Sequence, residues 1–295
     1  LLIIRLDGSP TYAMFTSSLP AIINIILDYV FLFVLHKGLE GVAIATCIGL
    51  WTGGAMVLFY ILFLSKSMKL YRLKWSLKSL MLFARNIWYQ FKLGFSAFLG
   101  ECSISVLMFI GNYVFMRYLG EDGVAAFSIA CYIMPFIFMT GNAISQSAQP
   151  IISYNYGAGR AARVKEARKV ALAAAIGAGI ILSMALAFGS KYVTALFLSA
   201  DAQAYRIASA GIPLMASGFV FYVVNVTIIG YFQSIERVRP ATIFSLARGF
   251  VFLIPAFLLM PHVAGTPGIW LALPVSEALT FILIAATRII KRKMR

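Results

Sequence analysis

The segment Gln146–Lys169, QSAQPIISYNYGAGRAARVKEARK, decides how the chain is organised. A long apolar run precedes this segment and another follows it. Turn-forming residues occupy its middle and basic residues come after them: Pro150, Asn155, Gly157, Gly159, Arg160, Arg163, Lys165, Arg168 and Lys169. A glycine-rich turn with a basic exit, between two apolar runs, predicts a membrane hairpin held on one side of a bilayer.

The composition of the whole chain also indicates a membrane protein. Of the 295 residues, 61% are hydrophobic and 12% are charged. The mean hydropathy is +0.90, so the chain is far more apolar than a soluble domain. Apolar runs of ~20 residues recur, and each is long enough to cross a hydrocarbon core. Because a backbone in lipid must satisfy its own hydrogen bonds, these runs predict an all-α polytopic membrane protein.

The apolar runs predict eight transmembrane helices. Several of the runs contain proline, which marks a kink more often than an end, because neighbouring groups in a membrane bundle satisfy the freed carbonyls. The predicted spans are Thr11–Leu35, Gly41–Leu64, Leu93–Met116, Gly123–Gln149, Val170–Phe188, Ile207–Phe232, Ala241–Met260 and Gly268–Thr287.

The loops between the spans predict the orientation. Basic residues gather before the first span and after the second, fourth, sixth and eighth, whereas the loops in between carry few. Since cytoplasmic loops are rich in Lys and Arg, we expect both ends of the chain in the cytoplasm and the protein in the plasma (inner) membrane. The net charge of +15 is distributed between the apolar runs, which indicates contact with anionic headgroups of the lipid bilayer and not with nucleic acid.

The segment Lys66–Gln90, between the second and third spans, carries apolar residues at helical spacing among Lys and Trp. This pattern predicts an amphipathic helix on the cytoplasmic surface, with an irregular basic loop as the alternative. We therefore divide the chain into residues 1–65, a cytoplasmic linker at residues 66–92, and a six-helix lobe at residues 93–295. Because the sequence opens at Leu1 within an apolar stretch, we expect it to be a fragment.

An internal repeat supports a two-lobe organisation. His36–Ala45, HKGLEGVAIA, resembles His262–Ala272, HVAGTPGIWLA, around a shared G-x-x-G. The first two spans therefore look like a copy of the last two. Duplicated bundles with a central site are characteristic of secondary transporters.

Asp28 is the strongest candidate for a functional acid. Ionisable groups inside a membrane are costly and therefore indicate function, and Asp28 follows Asn24 by one helical turn on the first span. A carboxylate with an amide one turn away can hold Na⁺ or share a proton. The structural alternative is an Asn–Asp pair that bonds a neighbouring helix.

The other intramembrane charges are Glu101, Glu277 and Arg248. Glu101 lies among small residues of the third span, which favours an acid lining a cavity over one that is bonded internally. Arg248 is the only basic residue well inside a span, and we expect it to pair with Glu101 or Glu277 as a structural ion pair.

Further polar and aromatic side chains within the spans are weaker candidates for a substrate path, because such residues often serve to join helices. The tyrosines could stack on a flat cation. These candidates are Asn112, Asn142, Gln146, Asn225, Tyr132 and Tyr222.

The sequence contains no catalytic arrangement. It has only two histidines and three cysteines, without metal-like spacing, and it lacks the H-E-x-x-H, G-x-S-x-G and P-loop motifs. We therefore expect neither an enzyme nor a metal site, and no cofactor apart from a coupling ion.

At this level of detail the chain resembles the multidrug and toxic compound extrusion (MATE) family, closest to its DinF/MepA-like branch. The resemblance extends over essentially all 295 residues. Its most specific element is Gln149-Pro150 followed by Tyr154-Asn155-Tyr156-Gly157-Ala158, similar to the family signature Q-P-x-x-G-x-N-x-G-A, with Ser153 where the family usually has glycine. Asn24-x-x-x-Asp28 resembles the cation motif of the family's fifth helix. Thr46 matches the threonine that completes that site, and Glu101 resembles an acid of the seventh helix.

The resemblance implies helices five to twelve of a twelve-helix, two-lobe bundle, with drug–cation antiport by alternating access. It implies cation binding (H⁺ or Na⁺) by Asn24, Asp28, Thr46 and Glu101, and efflux of organic cations or other small drugs. The acid of the family's first helix, which partners Asp28, falls outside this sequence. We expect a monomer. The alternatives are a lipid-linked oligosaccharide flippase of the same superfamily and a non-transporting membrane scaffold.

Overall fold

The computed structural model describes residues 2–65 and 76–293, with side chains from 3 to 65 and from 76 to 287. Every regular element in these residues is a helix, in agreement with the predicted class. The α-helices are α1 Leu2–Leu6, α2 Pro10–Tyr29, α3 Gly38–Phe59, α4 Leu77–Gly157, α5 Ala161–Ala195, α6 Gln203–Ala216, α7 Phe219–Ser234, α8 Val238–Leu246 and α9 Leu253–Lys293. π-Helical turns continue α2, α3 and α8 at Val30–Val34, Tyr60–Leu64 and Ala247–Val251.

All eight predicted spans lie on helical backbone. Helices α2 and α3 with their π-turns hold the first two, and α5 holds the fifth. Helices α6 and α7, bent by 46° at a short break, form the sixth. Helix α4 holds the third and fourth, and Val238–Thr287 holds the last two. Each of these segments is long and apolar enough to cross a membrane, so the protein is a multi-pass membrane protein.

Single glycines divide the two longest helices between predicted spans. Gly120 in α4 has φ 65° and ψ −153°, and Gly265 in α9 has φ 61° and ψ −143°. This backbone region is essentially restricted to glycine, because a Cβ would clash with the chain. The two turns are joined by a hydrogen bond between the Tyr118 hydroxyl and Nε2 of His262, at 3.1 Å.

The G-x-x-G repeat predicted around Gly38 and Gly265 has a third copy, Gly120–Gly123. In all three copies the first glycine has a positive φ. The second glycine lies so close to the preceding turn or helix that a Cβ would meet other atoms. Those neighbours are Phe31 Cβ at Gly41, 2.7 Å away, the Phe115 carbonyl oxygen at Gly123, 3.0 Å away, and the Met260 carbonyl oxygen at Gly268.

The segment that opens the sequence analysis turns later than predicted. Helix α4 continues through Pro150 to Gly157. Within the segment Gln146–Lys169, Gly159 is the residue with a positive φ, of 70°. The Arg160 N–H donates to the Asn155 carbonyl at 2.9 Å, which closes a Schellman turn. The remaining basic residues of the segment therefore lie on the first turns of α5 instead of in a loop.

The same turn occurs at two other places in the described chain. At Gly8, with φ 86°, the Ser9 N–H donates to the Ile4 carbonyl at 3.2 Å. At Glu236, with φ 57°, the Arg237 N–H donates to the Phe232 carbonyl at 2.9 Å. Glu236 therefore occupies a position that usually belongs to glycine.

The chain divides into two compact units, Leu1–Leu80 and Met81–Arg295. The division falls inside the predicted linker, residues 66–92, whose first part, residues 66–75, lies outside the described residues. From Leu77 the helix runs without a break into the third predicted span, so the linker does not end at a turn.

The core of the Met81–Arg295 unit is aromatic at its centre. The rings of Phe115 and Phe127 stack at 4.5 Å, and Trp270 meets Phe115 edge-on at 4.8 Å. A Cβ at Gly111 would overlap the Phe127 ring. This packing connects the two halves of α4 to α9 within the Met81–Arg295 unit.

Candidate functional site

Asn24, Asp28 and Thr46 lie together in the Leu1–Leu80 unit. The Asn24 Nδ2–H points to Thr46 Oγ1 at 3.5 Å, the outer limit of a hydrogen bond, and the Thr46 hydroxyl donates to the Val42 carbonyl at 3.0 Å. Asp28 is half-buried one turn beyond Asn24. Its Oδ1 is buried and has no hydrogen-bond partner in residues 2–65 or 76–293.

Small residues allow α2 and α3 to approach each other at this place. A Cβ at Gly49 would lie 3.1 Å from the Pro20 carbonyl oxygen and 3.2 Å from the Asn24 Cβ. The Val30–Val34 π-turn follows Asp28 by two residues, and such turns are frequent at functional sites. An unpartnered buried carboxylate oxygen requires a proton, a cation or a donor, because leaving it bare is costly.

A second polar cluster lies within the Met81–Arg295 unit, and all its hydrogen-bonding atoms named below are paired except Asn225 Oδ1, which is buried without a partner in the described residues. Arg248 Nε–H donates to Glu277 Oε1 at 2.7 Å, and the two side chains are only 5% and 2% exposed. Asn225 Nδ2 donates to Glu277 Oε2 at 2.8 Å and to the Glu277 carbonyl at 2.9 Å. The ring of Tyr222 covers the guanidinium, with 4.0 Å between Cζ and the ring centroid. Arg248 therefore pairs with Glu277, one of the two predicted partners.

The charges of Arg248 and Glu277 cancel, and both side-chain oxygens of Glu277 accept a hydrogen bond. Arg248 lies in the Ala247–Val251 π-turn, and a Cβ at Gly249 would lie 2.5 Å from the Ser103 Cβ, so α4 packs tightly against this turn. A buried charge pair with satisfied oxygens holds helices in one arrangement, but it leaves no free carboxylate for a cation.

Glu101 lies near enough to that cluster for its charge to act on Tyr222. Its side chain is exposed on α4, and the described part of the chain offers it no hydrogen bond or ion pair. Glu101 therefore stays a predicted acidic site without a geometry that tests it.

The predicted substrate-path residues lie in different surroundings. Asn225 and Tyr222 are buried in the Arg248 cluster. Asn112 is half-buried and donates to the carbonyl of the preceding turn. Asn142 is half-buried, Gln146 is exposed, and the ring of Tyr132 stacks on Phe197 at 5.6 Å.

The signature residues begin a polar chain that the sequence alone did not predict. Gln149 Nε2–H donates to Gln233 Oε1 at 3.3 Å, and Gln233 Nε2–H donates to Ser96 Oγ at 3.0 Å. These bonds connect both halves of α4 to α7. Asn155 donates to the Ile151 carbonyl at 2.8 Å, while Gly157 and Ala158 are exposed beside Gly159. Pro150 lies inside the helix, so the motif forms a helix end rather than a loop.

The family model, the curated relatives and the solved structures that this chain resembles agree on one family of proteins. The MatE family model matches residues 97–258. The multidrug export protein MepA of Staphylococcus haemolyticus (strain JCSC1435) is 25% identical over 274 residues, or 92% of this chain and 58% of that protein. An FAD transporter of Shewanella oneidensis is 25% identical over 285 residues, or 94% of this chain and 60% of that protein. The chain thus spans less than two thirds of the length of these curated relatives.

The fold has also been observed in solved structures. An outward-facing conformation of a multidrug resistance MATE family transporter of the MOP superfamily superimposes with a TM-score of 0.84 at 20% identity. The match covers 99% of this chain and 65% of that one. At this identity the likeness shows the helical arrangement alone.

Proposed function

The chain belongs to the MatE family of membrane transporters, and on that premise we propose that its protein is a secondary active efflux transporter driven by H⁺ or Na⁺. In this scheme Asp28 binds the coupling cation, Asn24 and Thr46 complete the site, and Glu101 contributes a second acid. Alternating access between two lobes exchanges the cation for a small-molecule drug. No cofactor takes part.

The buried, unpartnered Oδ1 of Asp28 carries this proposal. Oxygen ligands suit hard cations such as Na⁺, and a buried carboxylate oxygen without a donor gains free energy when it binds one. The Asn24 and Thr46 side chains nearby supply further oxygens. A ligand that binds one conformation better shifts the equilibrium towards it, so cation binding at Asp28 can drive the cycle.

Replacement of Asp28 by Asn in the complete gene product tests the coupling site. We expect ethidium efflux from vesicles under an imposed Na⁺ or pH gradient to be lost, because Asn neither ionises nor takes up a proton. Asp122→Asn, the same change at an exposed residue near the Gly120 turn, should transport normally. Efflux by Asp28→Asn at the unchanged rate would remove Asp28 from the coupling site.

We propose organic cations as substrates, in keeping with the multidrug export protein among the relatives. The other relative is named as an FAD transporter, and FAD is an anion, so the vesicle assay should include both ethidium and FAD. Export of FAD without export of ethidium would assign the anionic class instead.

The other candidate functions gain no support from particular residues. A flippase for lipid-linked oligosaccharides would line a cavity with many Arg and Lys residues, whereas Arg248 is the one basic residue well inside a predicted span, and it is paired with Glu277. We propose a monomer in the plasma membrane with both described ends in the cytoplasm, on the basis of the distribution of Lys and Arg.

A further inference from the structure

Two tyrosines donate hydrogen bonds to carboxylates on the predicted cytoplasmic side of the chain, one in each compact unit. In the first unit the Tyr60 hydroxyl donates to Asp7 Oδ2 at 2.7 Å. In the second unit the Tyr89 hydroxyl donates to Glu236 Oε2 at 2.6 Å. The transport cycle proposed above uses neither pair.

The two tyrosines flank the segment that joins the units. Tyr60 lies in the π-helical turn before the predicted linker, residues 66–92, and Tyr89 lies near the end of that linker. The two acids are also placed alike, at the Schellman turns of Gly8 and Glu236, which precede the first and the seventh predicted spans. The internal repeat relates these two spans. Each bond therefore joins one end of the linker to an equivalent turn.

The first bond belongs to a packed site. Tyr60 is only 2% exposed, and its ring centroid lies 4.9 Å from that of Tyr12. The Tyr12 hydroxyl donates to the Met56 carbonyl at 2.9 Å, and Ile4 of α1 lies in the same buried cluster. The turn at the start of α2, the helix that carries Asp28, is therefore held to the end of α3.

The second bond lies at an exposed place and has a different support. Glu236 has a φ of 57°, in a backbone region that disfavours side chains, and such an outlier indicates that its side chain is needed. One turn earlier, Gln233 donates to Ser96 at 3.0 Å and accepts from Gln149 at 3.3 Å. Tyr89 and Ser96 lie two helical turns apart on α4, so both bonds join one face of α4 to the end of α7.

We propose that these two bonds are paired anchors, which fix the place where the chain leaves one unit and the place where it enters the other. A force on the linker then acts directly on the turn before α2 in the first unit and on the turn before α8 in the second. The first of these helices carries Asp28, and the second leads into the π-turn of Arg248. Tyrosine suits this task because its side chain has few rotatable bonds to order.

Amide hydrogen exchange of the purified, complete gene product in detergent tests the second anchor. Tyr89→Phe removes a single hydroxyl. The amides of residues 78–92 and 235–238 should then exchange about tenfold faster, as expected for the loss of one hydrogen bond to a carboxylate. Tyr154→Phe is the matched control, because Tyr154 is exposed near the same predicted side and its hydroxyl makes no hydrogen bond among the described residues.

Glu236→Gly separates the anchor from the conformation of its turn. It removes the carboxylate, so residues 78–92 should exchange as fast as they do in Tyr89→Phe. Glycine also favours a positive φ, so Glu236→Gly should protect residues 235–238 better than Tyr89→Phe does.

Tyr60→Phe tests the first anchor in the same way. The variant keeps the ring beside Tyr12 and loses the bond to Asp7, so the amides of residues 3–9 should exchange about tenfold faster. Residues 78–92 should keep the parent's exchange rate, because each anchor acts within its own unit.

Three exchange results would overturn the proposal. One is equal exchange of residues 78–92 in Tyr89→Phe and Tyr154→Phe. Another is unchanged exchange of residues 3–9 in Tyr60→Phe. The third is an effect of Tyr60→Phe that extends to residues 78–92, since the whole protein would then have loosened.

The part that the anchors play in transport rests on the proposed function and has a separate readout. If the anchors pass movement between the units to α2 and α8, the double variant Tyr60→Phe with Tyr89→Phe should export ethidium several-fold more slowly, whereas Tyr154→Phe should export it normally. Efflux by the double variant at the parent's rate would overturn this part. An absence of efflux by the parent under every gradient would reject the proposed function itself, while the exchange results would still decide on the anchors.

Discussion

Two carboxylates inside predicted spans have opposite surroundings. Glu277 receives one hydrogen bond from Arg248 and one from Asn225 at its two side-chain oxygens. Asp28 keeps a buried oxygen without a donor in the described chain. A satisfied carboxylate holds its neighbours in place, whereas an unsatisfied one can gain free energy by binding a cation or proton. The difference favours a structural role for Glu277 and supports the proposal that Asp28 is the binding residue.

Glu277→Gln should destabilise the protein by about 3 kcal/mol, because it leaves the Arg248 guanidinium buried without a counter-charge. The double variant Arg248→Met with Glu277→Leu should regain most of that loss, since no charge remains buried and Asn225 keeps the Glu277 backbone carbonyl. Urea or thermal unfolding in detergent measures both. Equal stability of Glu277→Gln and the parent would show that the pair contributes nothing.

Tyr89 provides a pH-dependent contact outside the predicted spans. Its hydroxyl donates to Glu236 Oε2 at 2.6 Å, and this bond to a carboxylate raises the pKa of Tyr89 above its usual value. Because the folded pKa is raised, the contact is complete below about pH 10 and is lost as the pH rises through the raised pKa.

Glu236→Gln should therefore lower the pKa of Tyr89 towards the value of a free tyrosine. The phenolate absorbance of Tyr89, taken as the difference between the protein and its Tyr89→Phe variant, reports the titration. The same midpoint with and without the Glu236 carboxylate would mean that the hydrogen bond does not form in solution.

The place where the chain turns after α4 is set by the backbone conformation of one glycine, Gly159, which has a positive φ. Gly157 ends helix α4 in helical conformation, whereas Gly159 has a φ of 70° two residues later, and a Cβ at either position would meet nothing within 4 Å. The two glycines thus differ in backbone conformation and not in available space. Gly120 and Gly265 impose the same requirement between spans.

Gly159→Ala should destabilise the protein by about 1 kcal/mol, the cost of a Cβ in the left-handed region. Gly157→Ala is the matched control and should be neutral or stabilise by up to about 1 kcal/mol, because alanine favours helix. Thermal unfolding of the two variants in detergent measures the difference. A more stable Gly159→Ala than Gly157→Ala would contradict the Schellman turn.

At the scale of the whole molecule, the distribution of basic residues predicts which turns face the cytoplasm. The Gly8, Gly159 and Glu236 turns share the Schellman geometry and lie beside basic residues. The Gly38, Gly120 and Gly265 turns share the G-x-x-G geometry and carry few. Two kinds of turn thus coincide with the two predicted sides of the membrane.

Single cysteines test this orientation in a background without Cys47, Cys102 and Cys131. We expect Glu121→Cys to react with a membrane-impermeant maleimide added to intact cells, since the Gly120 turn is predicted to face outside. Ala158→Cys should react only after the cells are opened. Labelling of Ala158→Cys in intact cells would reverse the predicted topology.

The sequence by itself determined the membrane class and placed its eight predicted spans on segments that are helical in the structure, because the hydrophobicity of a 20-residue window is a local property. It also indicated the two glycine repeats. The location of the turn after α4 was predicted too early, because proline inside a membrane helix does not end it.

Only the tertiary structure decided which side chains meet. Arg248 pairs with Glu277, 29 residues further along the chain. Asn225 bonds to the same carboxylate, and the Tyr222 ring covers the guanidinium. Ser145, Arg168 and Tyr231, from three helices, line one pocket. Such encounters depend on which helix faces pack together, and apolar spans carry almost no periodic signal of their buried face. The chemistry of this protein therefore follows from helix packing, while its architecture follows from composition.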